Sequence, residues 1–593
     1  MKARRYQLFF SSVHKTRFQY VVVLIVLLAL AGTVSAQEAL KSTEEDYYDF
    51  LSLQGLANRP ALNYRTLSDN QWQLAGAAAD GNHVWVANNL GTTFTLWQDS
   101  TPAENWFARG LFQGATLKIY GPDWYNSFNT AAPYGQNDGA LWQGKGYNTS
   151  LTAGLRLEGY GFELTFKPQL SFSQNLSFEY IKPNYTTLDK NGNPTIFNGK
   201  ASDYGYYGVT SIDAPQRFGD KPFFVYDWGD SEVRWSWYSF TVGFGTQAIW
   251  LGPAKLNPIL HSNNAASYPK VDIGLRRQAV VLPGLGWYLG DIEFRGWWGK
   301  LSESDYFDND ESNNHNLISG LSLAWGLPGI FEGLSLGLNR TMLSKWGDFS
   351  GYTLFEIFVP GLGTSGGEDS SDQRFSFTVD YIFPKVGFEV YLEWARNDFS
   401  PNMDFILRYP FHTQGWTVGV QKAFNLPWNM QLQILLELTF LECSADYDRL
   451  IGWYSTFYAH HKVTQGYTNR GQWLGAGIGT GGNSQYLGFR LYYKKGSVDF
   501  FMQRRNPDLD YTMFIDSKKY PEEWKENNWV AEGNIRAMLD FGLSATYFVT
   551  KDFCVYGTYV FEDEHNPLNK SDVGRSSSHR YNNHLSLGAK YNL

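Results

Sequence analysis

Apolar and polar residues alternate along most of the chain. The segment 162–172 reads FELTFKPQLSF, in which every second residue is apolar. The segments 288–296, 374–381 and 535–549 follow the same pattern. Residues two apart in a strand point to the same face, so this pattern predicts β-strands that have one apolar and one polar face.

Strand length and loop length favour a membrane barrel over a soluble β-sandwich. The predicted strands run about 10 residues or more, whereas strands of globular sheets usually have about 5–6. Short connections, as at 159–161 and 384–387, alternate with long ones, as at 173–230 and 443–483. Tight periplasmic turns and long extracellular loops give this asymmetry. We therefore predict an all-β membrane protein, an antiparallel outer-membrane β-barrel of about 18 strands over residues 116–593.

Composition and the end of the chain agree with a barrel. Aromatic residues make up 17% of the chain and charged residues 18%, and the mean hydropathy is −0.36. Membrane barrels need aromatic girdles, and their strands give no long hydropathy peak. The last ten residues, HLSLGAKYNL, form an amphipathic strand. This ending resembles the signal by which barrel assembly machinery recognises such proteins, although that signal usually ends in Phe rather than Leu593.

The first 36 residues predict a signal peptide. Five basic residues precede the apolar run VVVLIVLLALAG at 21–32, and VSA at 34–36 fits a cleavage site. An uncleaved anchor helix is the alternative, although twelve apolar residues fall short of the roughly 20 that a transmembrane helix needs.

Net charge and cysteine content exclude two further classes of protein. Cleavage of the signal peptide removes five basic residues, so the net charge changes from −9 to −9 − 5 = −14, which argues against a nucleic-acid partner. Two cysteines, Cys443 and Cys554, are too few for a disulfide framework.

Residues 37–115 precede the first predicted strand, and we interpret them as a periplasmic helical plug. Ser42 and Glu45 have the spacing of a capping box, and Gly55 suits the end of a helix. Residues 82–97 add strand-like character to this region.

The polar face of the predicted wall carries paired acidic and amide side chains. Glu389 and Glu393 share one strand, and Gln433 and Glu437 share another. Paired carboxylates can act in catalysis, but charges that line a lumen more often pair across strands and make the wall rigid. No nucleophile elbow, zinc spacing or phosphate loop is present in the sequence. We expect a protein that is not an enzyme and that uses no metal or cofactor.

Three stretches of the chain resemble the outer-membrane capsule assembly proteins of the Wzi family. They are DFLSLQGLANRPALNYRTLS at 49–68, the segment 137–175, and FTVGFGTQAIW at 240–250 with the GPAKLNPILHSNNAASYP that follows Leu251. The resemblance implies an eighteen-strand barrel, a helical plug, loops that close the outer mouth, and a lectin-like role without catalysis. The chain departs from the family in long insertions at 173–230 and 443–483, and in GPAK, where a second glycine is more usual.

Two extracellular stretches, 137–146 and 250–270, are dense in side-chain amides and aromatic rings and poor in charge. Amides both donate and accept hydrogen bonds, so they can satisfy sugar hydroxyls or one another. A loop that folds inward and closes the mouth explains these amides equally well. The candidate polysaccharide-binding residues are Asn137, Asp138, Trp142, Gln143, Lys145, Trp250, His261, Asn263, Asn264 and Tyr268.

These observations predict a non-catalytic outer-membrane protein that binds or organises a surface polysaccharide. The glycan could belong to a capsule, an exopolysaccharide or lipopolysaccharide. We expect a monomer surrounded by outer-membrane lipids. A saccharide-permeable channel with the same fold is the main alternative, and an outer-membrane hydrolase is a third class that no residue cluster supports.

Overall fold

The computed structural model describes most of the chain after the predicted signal peptide. Residues 1–41, which include that peptide, and Leu593 lie outside the described residues. Cys443 lies outside them as well. Between 42 and 592 the gaps are 70, 102, 184–186, 189–193, 196–201, 208–210, 309, 359–370, 398–406, 409–412, 443–456, 461, 511–534 and 570–577.

Eighteen antiparallel strands close into a barrel, which confirms the predicted fold. Each wall strand pairs with its neighbours in chain order, and the last pairs with the first. The third and fourth wall strands are each interrupted once. The strands are β1 Gly114–Asn129, β2 Gly146–Gly159, β3 Phe162–Phe166 with Gln169–Ser173, β4 Phe223–Asp227 with Glu232–Trp237, β5 Phe240–Gly245, β6 Lys270–Val281, β7 Tyr288–Ser302, β8 His315–Gly326, β9 Leu334–Lys345, β10 Asp372–Phe383, β11 Phe388–Asn397, β12 Gln414–Leu426, β13 Met430–Phe440, β14 Asn483–Tyr493, β15 Gly496–Asn506, β16 Ala537–Phe548, β17 Phe553–His565 and β18 His579–Tyr591.

The wall exposes its apolar face and buries its polar face. In β3, Phe162 is 61% exposed and Leu164 is 47% exposed, whereas Glu163 between them is 2% exposed. In β16, Leu543 is exposed and Asp540 is fully buried. A soluble sandwich would show the reverse arrangement, so the outward apolar band is the surface that meets lipid.

Connections at the two ends of the barrel differ in length, as predicted. Short turns join the strands at one end, for example between β2 and β3 and between β14 and β15. Long loops join them at the other end, including the 24 residues 246–269 between β5 and β6. By the general rule for such barrels, the short-turn end faces the periplasm and the long-loop end faces the outside.

Helices and short strands outside the wall are few in the described ranges. No helix there is long and apolar enough to cross a membrane. The helices are α1 Thr43–Ser52, α2 Gly76–Ala79, α3 Trp106–Arg109 and α4 Gly351–Phe355, with 3₁₀ turns at Gly329–Phe331, Trp346–Asp348, Glu356–Phe358 and Pro384–Val386. The short strands are Ala57–Asn58, Tyr64–Arg65, Gln73–Leu74, Thr187–Leu188, Pro194–Thr195, Trp250–Leu251, Thr468–Asn469 and Gln472–Trp473.

Helix α1 lies inside the barrel near the short-turn end. Ser42 caps it by accepting a hydrogen bond from the backbone N–H of Glu45, which fits the predicted start of the helix. The Glu45 side chain pairs with Arg65 at 3.1 Å. The rings of Tyr47 and Phe50 pack against Tyr492 of the wall, with centroids 5.3 and 4.5 Å away. The helix is therefore held by an aromatic cluster on the inner wall.

The N-terminal region also contributes a strand to the wall. Thr93–Gln98 pairs with the first five residues of β1, and β18 pairs with β1 only from Asp123 onward. Between these two pairings β1 carries a bulge at Gly121, which has a φ of +70°. A Cβ atom there would lie 2.7 Å from a backbone nitrogen, so only glycine fits. The sequence predicted strand-like structure at 82–97; the strand begins at residue 93 and belongs to the wall sheet.

Candidate functional site

The loop 246–269, here called the closing loop, leaves the long-loop end and enters the lumen. Its residues Trp250–Leu251 form a two-stranded antiparallel sheet with Tyr64–Arg65 of the N-terminal region. The backbone N–H of Gly252 also donates to the carbonyl of Asn63 at 2.9 Å. Segments that enter the barrel from opposite ends therefore meet and pair inside it.

A buried ion cluster joins the closing loop, the N-terminal region and the wall. The Lys255 ammonium lies 2.8 Å from Asp49 of α1 and 3.4 Å from Glu389 of β11. Arg59 lies 2.8 Å from Asp49 and 2.7 Å from both Asp380 and Glu389. The sequence predicted that such charges pair across strands, whereas Glu389 pairs with Arg59 of the N-terminal region and Lys255 of the closing loop. The ion pairs therefore connect the wall to the residues that fill the lumen.

Three other inward carboxylates accept hydrogen bonds from backbone N–H groups of the closing loop and of the N-terminal region. Glu437 accepts from the N–H groups of Lys255, Leu256 and Asn257 at 2.6 to 3.1 Å and from the Tyr391 hydroxyl at 2.7 Å. Glu393 accepts from Ile259 at 2.8 Å. On β7, Glu293 accepts from the N–H groups of residues 62–64 at 2.6 to 3.1 Å. Irregular backbone in a lumen needs such partners, because unpaired buried N–H groups are costly.

His261 and Tyr268 are both buried within the closing loop. The His261 ring contacts the carbonyl oxygens of Ile249 and Ser262 at 3.0 Å through Nδ1, and the Tyr268 hydroxyl at 2.7 Å through Nε2. Trp250 is fully buried, and its indole donates to the carbonyl of Ala254 at 2.9 Å. These three predicted site residues use their polar atoms inside the loop.

The closing loop should respond to pH through His261. Burial, with a smaller contribution from Lys270, lowers the pKa of His261 from 6.5 to about 3. The unfolded chain therefore binds a proton that the folded chain does not between these values. Relative to His261→Gln, the wild type should lose about 1.4 kcal/mol of unfolding free energy for each pH unit below 6.5. Urea unfolding at pH 7, 5.5 and 4.5 measures this difference, and parallel curves for the two proteins would contradict it.

The stretch 137–146 contacts the closing loop. The N–H of Gly139 donates to the carbonyl of Asn263 at 2.9 Å, and the N–H of Asn137 donates to the Asn264 side chain at 3.1 Å. The Asn137 amide donates to the carbonyl of Leu256 at 2.9 Å. The amides that the sequence singled out thus join two loops to each other.

Three further predicted residues lie along the next part of this loop. Gln143 is buried, and its amide donates to the Tyr125 hydroxyl at 2.9 Å. Trp142 is partly exposed and packs against Phe218, with ring centroids 4.8 Å apart. Lys145 is also partly exposed.

Below these loops lies a luminal cavity of about 300 Å³. Its lining includes Asp138, Asn263, Asp227 and Asp230, with Lys590 on the opposite side. Burial raises the pKa of Asp138 to about 7. The cavity lies between the joined loops and the start of α1, since its lining includes residues of both.

A second cavity, here called the outer cleft, opens among the loops at the long-loop end. It has a volume of about 200 Å³. Tyr206 is central to it: its ring lies 4.8 Å from that of Tyr207 and 5.7 Å from that of Trp473. Phe178 and Tyr180 form another aromatic pair at 5.6 Å. The aromatic lining is Phe178, Tyr180, Tyr206, Tyr207 and Trp473, all of them partly exposed except the buried Tyr207.

Charged groups at the outer ends of β16, β17 and β18 line the other side of the outer cleft. Glu564 accepts hydrogen bonds from Arg536 at 2.7 Å and from Arg580 at 2.8 Å. Arg536 also donates to the Tyr207 hydroxyl at 2.9 Å, and Tyr206 donates to Asp508 at 2.7 Å. Aromatic surface beside fixed polar groups is the usual composition of a small-molecule site.

The outer cleft was not predicted, but one predicted residue supports it. The Asn264 amide donates to the carbonyl of Trp473 at 3.1 Å. Asn264 therefore holds in place the backbone that presents this indole to the cleft. The aromatic residues of the cleft come from positions between 178 and 473, which no local pattern connects. A weak signal was present in the tyrosine pair at 206–207.

One solved structure supports the fold. Escherichia coli Wzi, an outer-membrane carbohydrate-binding β-barrel involved in group 1 capsule assembly, superposes with a TM-score of 0.55 at 12% identity, over 95% of this chain and 100% of that one. Pseudomonas putida OprB gives 0.36 at 10% identity, over 80% of this chain and 94% of that one. Acinetobacter baumannii OccAB2 gives 0.38 at 10% identity, over 83% and 99%. A search of curated proteins found no match by sequence.

The sequence itself matches the family described as capsule assembly protein Wzi. The match covers residues 226–578, which is more than half of the 593 residues. It includes the closing loop and the carboxylates that hold it, Glu393 and Glu437. Together with the eighteen-strand wall and its outward apolar band, this match establishes that the chain is an outer-membrane β-barrel and belongs to the Wzi family of capsule assembly proteins.

Proposed function

We propose that this protein binds a surface polysaccharide at its extracellular end through the outer cleft and does not act on it chemically. The observation that carries the proposal is the partly exposed aromatic lining of that cleft beside the ion pairs of Glu564. Tyr and Trp offer flat apolar faces with a polar edge, and such faces suit the C–H surface of a sugar ring. Escherichia coli Wzi, which shares the fold, is a carbohydrate-binding barrel.

The proposal assigns polysaccharide binding and closure of the barrel mouth to different residues. Trp250, His261, Tyr268, Gln143 and Asn264 hold the loops, because their side chains already have protein partners. Asn137, Asp138, Trp142, Lys145 and Asn263 are partly exposed, and we retain them as candidates for glycan contact, although the Asn137 amide also donates to the carbonyl of Leu256. The inward carboxylates Glu293, Glu389, Glu393 and Glu437 are engaged in holding the residues that fill the lumen, which favours a role without catalysis. A monomer in outer-membrane lipid, inserted by barrel assembly machinery, completes the proposal.

Binding of refolded protein to polysaccharide extracted from the cells that express it tests the proposal. Tyr180→Ala with Trp473→Ala should weaken binding at least tenfold, about 1.4 kcal/mol, since aromatic anchors commonly dominate binding energy. The matched control is Tyr238→Ala with Trp428→Ala, which removes the same two residue types from the short-turn end, where both are exposed. Each variant is checked for folding by heat-modifiable gel mobility.

A second pair of variants separates the outer cleft from the sequence-predicted loop. Trp142→Ala with Asn263→Ala should leave binding nearly intact if the outer cleft is the principal contact. Loss of polysaccharide binding in the Trp142→Ala, Asn263→Ala variant alone would instead place the binding site on the stretch 137–146 and the closing loop. Equal binding by the cleft variant and its control would overturn the assignment to the outer cleft, and no binding by the folded wild type would overturn the function itself.

A further inference from the structure

Three side chains with metal-binding atoms converge on the lipid-facing side of the wall at its long-loop end. They are Asp563 and His565 of β17 and His579 of β18. The two histidines are direct cross-strand partners. One ligand atom from each of the three side chains lies within 4.8 Å of the other two. Across the described part of the chain, this is the one group of three or more His, Cys, Asp or Glu residues with that spacing.

The geometry of the three side chains is close to that of a metal site. Asp563 bridges the histidines: one carboxylate oxygen lies 2.7 Å from Nδ1 of His579 and the other lies 3.7 Å from Nε2 of His565. The imidazole centroids are 3.9 Å apart. Zn²⁺ binds histidine nitrogen and carboxylate oxygen at about 2.0–2.2 Å, so its ligands sit roughly 3–3.5 Å apart. Small side-chain rotations bring these atoms to such separations.

The surroundings support an accessible and well-oriented site. The side chains are 23%, 43% and 31% exposed for Asp563, His565 and His579, so an ion can reach them. The ring of Tyr581 stacks against His579 on one side, with centroids 5.7 Å apart, and against Phe561 on the other at 5.9 Å. This stack fixes one imidazole on a rigid strand, and two strands supply the three ligands.

We propose that Asp563, His565 and His579 bind one divalent transition-metal ion of the zinc class. Two imidazoles and one carboxylate favour Zn²⁺, Ni²⁺ or Cu²⁺ over Ca²⁺ or Mg²⁺, which prefer all-oxygen ligands. The ion links the outer ends of β17 and β18, beside the pairing of β18 with β1. Three protein ligands leave a coordination position open to water or to an anionic group of the membrane surface.

Calorimetric titration of ZnCl₂ into the refolded full chain, made without a polyhistidine tag, tests this site. One ion should bind per chain, and His565→Ala and His579→Ala should each weaken binding at least tenfold. His315→Ala is the matched control, because His315 is an exposed histidine on another strand end. Asp563→Asn keeps the size of the side chain and should also weaken binding.

A spectroscopic readout distinguishes ligation from non-specific adsorption. Cu²⁺ bound to the wild type should show nitrogen hyperfine structure in its electron paramagnetic resonance spectrum, and His565→Ala with His579→Ala should lose it. Zn²⁺ should also raise the unfolding temperature of the wild type and not of that double variant. Absence of Zn²⁺ binding by the folded wild type, or equal binding by the double variant, would overturn the proposal.

Discussion

Replacing residues 253–266 with a short glycine–serine linker is expected to convert a barrel that does not conduct ions into one that does. A wall of eighteen strands is wide enough for an aqueous lumen, and here that lumen holds the closing loop and the N-terminal region. The replacement removes Lys255 and the backbone groups that Glu437 and Glu393 hold. Planar-bilayer recordings should show discrete conductance steps for the variant and none of that size for the wild type.

The control for this experiment replaces residues 347–355, a segment of the long-loop end that lies outside the lumen. Its side chains include Phe349, Tyr352 and Phe355, which are all exposed. This variant should show no conductance steps, like the wild type. Removing residues 42–69 together with 253–266 should increase the conductance further, because α1 and Arg59 fill the opposite part of the lumen. Wild-type conductance equal to that of the linker variant would instead favour the saccharide-permeable channel.

The second large effect is expected for Glu437→Leu. The carboxylate accepts three backbone N–H groups and the Tyr391 hydroxyl, and its side chain is 1% exposed. Leucine has a similar volume and no acceptor, so it leaves four buried donors unpaired. Each unpaired donor costs about 1–3 kcal/mol. We expect a loss of about 3–5 kcal/mol in the unfolding free energy, since some donors regain partners.

Glu437→Gln is the matched comparison for this variant. The amide keeps one acceptor oxygen and a similar shape, so its cost should be less than half that of leucine. Urea unfolding followed by tryptophan fluorescence measures both variants. Limited proteolysis should cleave the closing loop faster in Glu437→Leu than in the wild type. Equal stability of the leucine and glutamine variants would show that the carboxylate does not seat the loop.

The wall was predictable because its signal is local. A strand in lipid has to alternate, so the period-2 pattern at 162–172 reported both the strand and the side of the wall on which Phe162 and Glu163 lie. Turn lengths are local as well, and they gave the strand count. The start of α1 followed from Ser42, which caps the helix as its position in the sequence suggested.

The contents of the lumen were predictable only in outline, because their contacts join distant parts of the chain. The amide-rich stretch 250–269 had two interpretations, glycan contact or a loop that folds inward, and the sequence did not decide between them. Its pairing of Trp250 with Arg65 and the contact of Lys255 with Asp49 depend on strand tilt and loop conformation, which no short pattern encodes. The outer cleft was missed for the same reason, since Tyr180, Trp473 and Arg580 are neighbours only after the wall closes.

The strand Thr93–Gln98 has a consequence for how the protein is made. It pairs with the first five residues of β1, which β18 does not reach. The N-terminal region therefore contributes to the strand pairing at the place where the barrel closes. We expect these N-terminal residues to pair with β1 no later than β18 does. Lys590 of β18 contacts Glu44 of α1 at 2.7 Å, so the last strand of the wall is joined to the N-terminal region inside the lumen as well. We therefore expect closure of the barrel and placement of the N-terminal region to depend on each other during assembly.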